Sequence, residues 1–160
     1  MKKLSLVAIL LLFAVTSYAG GYRVSTQGQR ALAMGHSGVA VVNSAELAFF
    51  NPAGLVYLEN KINISAGMTG VISNVKWQNE MTGGFAETES SLRTPFYLYA
   101  SYSVSEKLAL GLSVYTPYGS SVEWPTDWAG SHLINNIDLQ AIYIQPLISY
   151  KITDNLSVGG

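Results

Sequence analysis

Residues 96–115 read FYLYASYSVSEKLALGLSVY. Phe96, Leu98, Ala100, Tyr102 and Val104 alternate with Tyr97, Tyr99, Ser101 and Ser103. After Ser105-Glu106-Lys107 the pattern resumes, with Leu108, Leu110, Leu112 and Val114 set against Ala109, Gly111, Ser113 and Tyr115. Successive side chains of a strand point to opposite faces, so each run carries one greasy face and one face of small or hydroxyl-bearing residues. The short polar link joins the two as an antiparallel hairpin.

Two further runs repeat the pattern. In 61–73, Ile62, Ile64, Ala66, Met68, Gly70 and Ile72 oppose Asn63, Ser65, Gly67, Thr69 and Ser73; in a run of about 137–150, Ile142, Ile144 and Ile148 oppose Tyr143, Gln145 and Ser149. Each of these four strands is near or above the ~9–11 residues that a tilted strand needs to cross a bilayer. The links alternate in length: 74–94 and 116–136 are long and polar, whereas Ser105-Glu106-Lys107 and Thr153-Asp154-Asn155 are tight. Outer-membrane barrels have short periplasmic turns and long outer loops, so strand one rises outward and strand two descends. Trp77, Phe96, Tyr97 and Tyr115 then fall at the outer interface, and Tyr57, Tyr102 and Tyr150 at the periplasmic one.

Composition agrees with a wall that does not meet water everywhere. Charged residues make up 12% of the 160, with a net charge of −1, against ~25% charged residues in soluble domains. There is no basic surplus of the kind nucleic-acid binding requires, so no nucleic-acid partner is expected. The absence of cysteine excludes a disulfide framework, thiolate metal sites and cysteine nucleophiles. Period-two alternation is equally compatible with a soluble antiparallel sandwich, in which the apolar faces would meet a protein core. The alternation of link lengths and the uncharged polar faces favour the membrane barrel.

Met1-Lys2-Lys3, the apolar run Leu4 to Val15 and the small residues of Ser17-Tyr18-Ala19 form a secretory signal with cleavage after Ala19. The run is shorter than the ~20 apolar residues of a membrane-spanning helix. Residues 20–58 are a different region. Gly28, Gly35 and Gly38 with Ala31, Ala33 and Ala40 are too interrupted for a strand and too apolar for a disordered tail. Asn43 followed by Glu46 has capping-box spacing for a short helix through Ala45, Leu47, Ala48 and Phe49, which must end before Pro52. Asn51-Pro52-Ala53-Gly54 is a turn, since proline fixes φ and removes a donor. The region is predicted to be a plug in the barrel lumen. Residues 59–160 are the first strands and loops of an all-β, transmembrane antiparallel barrel left incomplete, because closure takes at least about eight strands.

Several stretches together resemble the outer-membrane transporters of hydrophobic compounds typified by the long-chain fatty acid and toluene transporters. They are Gly21-Tyr22, Arg30 through Gly38, Phe50-Asn51-Pro52-Ala53-Gly54, Leu110-Gly111-Leu112-Ser113, Tyr118-Gly119, Trp128-Ala129-Gly130 and Ser149-Tyr150-Lys151-Ile152. The resemblance implies a barrel of about fourteen strands with an N-terminal hatch in its lumen. It also implies a hydrophobic small-molecule ligand, fatty acid or aromatic hydrocarbon, that leaves sideways into outer-membrane lipid through a gap at an inward kink of the third strand. Tyr22 then takes the place of a ligand-touching aromatic, Gly111 lies in the kinked strand, and Phe50, Asn51, Pro52 and Ala53 border the gap. Asn51 is expected to serve ladder groups that the kink leaves unpaired.

Rival readings are a general porin, a structural or adhesive barrel, and a lipid hydrolase. A porin needs a charge-lined constriction, which the uncharged inner faces do not supply. A hydrolase would have to use His36 or His132, and neither has a nucleophile and orienting acid at convincing spacing. No catalytic residue, metal or cofactor is expected. N-terminal sequencing of the exported protein should begin at Gly20; a retained Met1 or Lys2 would refute the signal reading.

Overall fold

The computed structural model describes residues 26–41, 43–89 and 92–160. Tyr22 and the signal segment lie outside them. Among the described residues, eleven strands follow two short helical turns, Gln29–Ala33 and Leu47–Phe50, and two 3-10 turns, Ser37–Val39 and Pro52–Tyr57. The strands are β1 (Ile62–Met68), β2 (Val71–Ile72), β3 (Lys76–Gln78), β4 (Phe85–Glu87), β5 (Leu92–Arg93), β6 (Phe96–Ser105), β7 (Leu108–Tyr115), β8 (Gly119–Glu123), β9 (Asn136–Gln140), β10 (Tyr143–Thr153) and β11 (Leu156–Gly159).

One antiparallel sheet, in the order β1-β6-β7-β10-β11, forms the wall. Each wall strand is hydrogen-bonded to the next one along the chain, the up-and-down pattern of a barrel. The hairpin read at 96–115 is β6–β7, in register from Tyr97 opposite Tyr115 to Ser103 opposite Ala109, with a one-residue shift before Ser105 opposite Leu108. Three ribbons, β2–β5, β3–β4 and β8–β9, are built from the long links and the strand ends that border them.

Those ribbons extend the wall hairpins outward. The run 61–73 is interrupted only at Thr69-Gly70: the Thr69 amide donates to the carbonyl of Pro95, and Val71 and Ile72 then pair with Arg93 and Leu92 of β5 in the same register as β1 with β6. The run 137–150 divides: Asn136–Gln140 pairs with β8, and the wall strand starts only at Tyr143 and continues to Thr153. Val122 opposite Ile137 and Ser120 opposite Leu139 give that ribbon its own alternation.

Parity decides which face meets what. Ile62, Ile64, Leu98, Leu110, Leu112, Ile144, Ile148 and Val158 are exposed on one side of the wall. On the other, Tyr97, Tyr99, Ser101, Ala109, Ser113, Tyr115, Leu147 and Ser149 are buried. No second sheet covers the apolar side among the described residues, which removes the sandwich reading. A continuous apolar face of this extent is a lipid surface. Tyr97 and Tyr115 do not join an interfacial belt as expected. Their positions alternate with those of Phe96 and Val114, so they point inward and pack on the plug.

The core lies between plug and wall. Ala45, Leu47, Ala48, Leu55 and Leu58 press against Tyr97, Tyr99, Ala109, Tyr115 and Leu147. Leu55 is wholly buried, and removing such a side chain from water contributes ~1.5–3 kcal/mol. On the β3–β4 ribbon, Lys76 stands opposite Glu87 in register, 3.3 Å from its carboxylate. A hydrogen bond from Asn74, and then that from Lys76, hold the Glu87 carboxyl below its ordinary value.

Leu112→Arg, on the lipid face in mid-wall, should lower the unfolding free energy of the full-length protein by ~2–4 kcal/mol. Leu133→Arg, at an exposed loop position, should stay within ~0.5 kcal/mol. Denaturant titration in lipid vesicles measures both, and equal effects would contradict the assignment of faces.

Candidate functional site

The site is the junction where the plug lies against the inner wall. The turn Leu47–Phe50 stops at Asn51 because Pro52 follows, and Pro52 opens the 3-10 turn Pro52–Tyr57, a position where its missing N–H is harmless. Asn51 fastens three places: its amide donates to Leu47 O at 2.8 Å, its carbonyl accepts from Gly54 N at 2.9 Å, and its Nδ2 donates to Val39 O at 3.0 Å. All three bonds are within the plug. Asn51 therefore does not serve unpaired ladder groups of the wall, as expected of it, but ties the 37–39 turn to the 52–57 turn. Phe50 fills the space left by Gly38, where a Cβ would lie 2.8 Å from the ring, and meets Phe49 edge-on at 5.0 Å.

Ala53 makes the wall contact. Its carbonyl oxygen accepts from Ser149 Oγ of β10 at 2.9 Å and from Ser157 Oγ of β11 at 2.8 Å. Beside it, Val56 N donates to Ser149 Oγ at 3.3 Å. A Cβ on Gly159 would lie 2.6 Å from Ala53 N, so only glycine lets the turn rest on β11. Gly111 has a different neighbour: a Cβ there would come within 2.8 Å of Leu55 Cδ1. It is paired with Ser101 on one side and Leu147 on the other, in unbroken register. The expected kink is not present at Gly111, whose missing side chain instead seats Leu55.

Glu46 departs from its expected role. It does not complete a capping box with Asn43, and the turn Leu47–Phe50 has no side-chain cap. The carboxylate reaches back to the earlier turn, accepting from Arg30 N at 3.3 Å and Ala31 N at 3.0 Å. The Tyr97 hydroxyl donates to it at 3.5 Å and accepts from Gln29 N at 2.9 Å. The first three amides of Gln29–Ala33, left open in any helix, are thus satisfied by one plug acid and one wall tyrosine. Gly28, at φ +88°, permits this approach, since a Cβ there would sit 2.6 Å from the carboxylate.

From this junction an aromatic column climbs the inner wall. Tyr97 stacks on Tyr99 at 5.0 Å, Phe49 meets Tyr115 edge-on at 5.0 Å, Tyr115 is 5.8 Å from Tyr143, and Tyr143 is 6.2 Å from Tyr118. Tyr118 lines a cleft of about 360 Å³ with Val71, Leu92, Leu139 and the ion pair of Arg93 and Asp138, 3.3 Å apart. Behind the plug, Tyr99 Oη, Ser101 Oγ and Ser113 Oγ are buried without a hydrogen-bond partner among the described residues. The cleft mixes apolar side chains with Ser73, Thr116, Ser120, Ser121 and Gln140, whereas the aromatic column below it, apolar with sparse hydroxyls, suits a hydrophobic guest.

Of the residues expected at the site, Phe50, Asn51, Pro52, Ala53 and Gly111 gather at this junction; Tyr22 is outside the described residues. Sequence reading passed over Glu46 as a cap for the earlier turn, the clamp serines and the column. Inner-face parity alone marks Ser149, Ser157, Tyr97, Tyr99 and Tyr115 as lumen-facing.

A family model described as "Outer membrane protein transport protein (OMPP1/FadL/TodX)" matches residues 10–160. A putative outer membrane protein of Neisseria meningitidis is 28% identical over 144 residues, covering 84% of this chain and 31% of that protein. Outer membrane protein P1 of Haemophilus influenzae is 24% identical over 180 residues, covering 99% of this chain and 39% of that protein. The crystal structure of a Pseudomonas aeruginosa FadL homologue superposes with a TM-score of 0.64 at 20% identity, over 88% of this chain and 36% of that one. It has the same fold. The chain spans between three and four tenths of the length of the relatives it matches.

Glu46→Ala removes the acceptor for two helix amides, worth ~0.5–2 kcal/mol as a lost cap. Hydrogen exchange at Arg30 and Ala31 should quicken by about 2- to 30-fold in the assembled protein, with wall amides unchanged. Unaltered protection at both would discount the carboxylate as the cap.

Proposed function

We propose, from the premise that this chain belongs to the outer membrane transport protein family OMPP1/FadL/TodX, that it is the plug and first wall strands of an uptake protein for hydrophobic small molecules. The ligand is a long-chain fatty acid or an aromatic hydrocarbon, and it leaves sideways into outer-membrane lipid. The observation that carries this reading is the aromatic column, which links an outer cleft to a plug held on the wall by a few hydrogen bonds.

Each methylene taken from water contributes ~0.8 kcal/mol, so an alkyl chain is drawn into such a lining without any charged anchor. Its departure needs a displaceable element. The plug suits that task, because its contacts with β10 and β11 pass through Ala53 and its neighbours and not through a continuous ladder. Phe50, Asn51, Pro52 and Ala53 act as the moving border, Gly111 seats the plug through Leu55, and Tyr22 touches ligand. The family transports across the outer membrane, and none of these assignments involves a bond-breaking step.

The test is uptake by the full-length protein in a strain lacking its own transporter. Labelled fatty acid and toluene are compared with a small sugar, for the natural protein and for Asn51→Ala/Pro52→Ala. Hydrophobic uptake should exceed that of the sugar and fall at least about tenfold in the variant, with heat-modifiable barrel migration retained. Uptake that is unchanged in a well-assembled variant would defeat the gating role. Preferential passage of sugar would favour a porin.

A further inference from the structure

Three tryptophans meet where the two long outer links touch, at a place that neither the wall nor the plug uses. Trp77 lies on β3, and Trp124 and Trp128 lie in the segment between β8 and β9. Trp128 stacks on Trp124 with centroids 4.3 Å apart and planes at 13°, and meets Trp77 at 5.8 Å and 82°. Its indole N–H donates to Ile134 O at 2.8 Å, and Gly130 lies against the ring where a Cβ would have no room. The ring is therefore fixed in orientation with its one polar atom already used, so what it offers a ligand is π-surface.

The rings alone serve as a staple between two loops. Beside them, however, is an open cleft of about 380 Å³ that Trp77, Trp128 and Pro125 share with Asn79 and Asp127, a size within the ~300–1,000 Å³ of small-ligand sites. Asp127 is exposed, and its carboxylate makes no hydrogen bond or ion pair among the described residues. Asn79 uses its Oδ1 for the amides of Met81 and Thr82, at 2.9 and 3.1 Å, which leaves its Nδ2 hydrogens for another partner. Two ring surfaces set nearly at right angles, a free carboxylate and a free amide donor are the complement of a pyranose. The C–H face of such a sugar is slightly positive and settles on a π-cloud, while its hydroxyls donate to a carboxylate and accept from an amide. An ammonium ion fits less well. Glu87, the other acid at the cleft, is matched by Lys76 at 3.3 Å, and the Asn79 donor has nothing to give a cation.

Height selects the source of the sugar. From Ile62, about 9–11 residues carry the chain across the hydrocarbon. Trp77 follows Ile72 by five residues, up to ~16 Å further along an extended chain. It thus stands above the interfacial level expected of it, among the headgroup sugars of the outer leaflet. Glycolipids of that leaflet hold their sugars beside the loops at an effective concentration far above that of a free saccharide, which suits a site that grips one ring.

We propose that the cleft of Trp77 and Trp128 binds a core sugar of the lipopolysaccharide in the surrounding outer leaflet, with the two indoles as platform and Asp127 and Asn79 holding its hydroxyls. The bound sugar ties both long loops to the leaflet around them, and the contact does not depend on the transport reading given above.

Calorimetric titration of the full-length protein, refolded in detergent free of lipopolysaccharide, with delipidated core oligosaccharide tests the site. Saturable binding is expected, with dextran at least about tenfold weaker. Asp127→Asn, which breaks no contact inside the protein, should weaken binding about 3- to 10-fold. Glu80→Gln, at the tip of the same hairpin but outside the cleft, should stay within about twofold. Trp77→Ala should weaken binding at least about tenfold and Trp77→Phe by less, since a smaller ring keeps part of the platform. If Trp77→Ala disturbs the loop, the contrast of Asp127→Asn with Glu80→Gln decides alone. Uptake of labelled hydrophobic ligand should be unchanged in Asp127→Asn. No saturable binding, equal binding of dextran, or equal effects of Asp127→Asn and Glu80→Gln overturns the proposal. A parallel loss of uptake in Asp127→Asn overturns it too, since the cleft would then belong to the transport path.

Discussion

Every backbone donor and acceptor of a wall in lipid has to be paired within the wall, because the hydrocarbon offers no substitute. That constraint fixes the architecture. It forces strands into a continuous ladder, the ladder forces period-two parity, and parity sends Leu110 and Leu112 to lipid while Ala109, Gly111 and Ser113 face inward. The plug exists on terms set by the same rule. Its short turns satisfy their polar groups through side chains, as Glu46 and Tyr97 do for the amides of 29–31. A loop at membrane depth is tolerated only when enclosed by protein in this manner.

Plug and wall join by two different kinds of contact. Leu47 and Leu55 against Tyr99, Ala109 and Leu147 supply non-directional burial, which resists separation but tolerates sliding. Ala53 with Ser149 and Ser157 supplies direction and register. The first kind keeps the plug in the lumen and the second says where. Tyr99, Ser101 and Ser113 add hydroxyls with no partner among the described residues at that surface, and each such group lowers the margin by which the seated plug is preferred.

Much of this was legible in the chain. The hairpin 96–115, the membrane-facing parity and a turn at Asn51-Pro52 follow from local pattern and from proline chemistry, which act at short range. Where the ladder changes at the outer end was not: Val71 and Ile72 keep the register of β1 on β6 past Gly70, whereas 136–140 pairs with β8 one residue out of the register that β10 keeps with β7, a shift that alternation does not show. The Glu46 error has a similar origin. Asn43 and Glu46 have capping-box spacing, yet the carboxylate finds better donors fifteen and sixteen residues away once Gly28 admits it. Gly111 shows the ambiguity of glycine: its sequence context permits a bend or a close approach, and the position of Leu55 decides for the latter.

The two helical turns of the plug, of five and four residues, have a consequence for biogenesis. Isolated helices shorter than about 12–15 residues do not hold their shape in water, and here the cap of the first turn includes a hydroxyl from β6. The plug therefore has no structure of its own to bring to the membrane. Its form depends on the wall, since Tyr97 of β6 supplies part of the cap of its first turn.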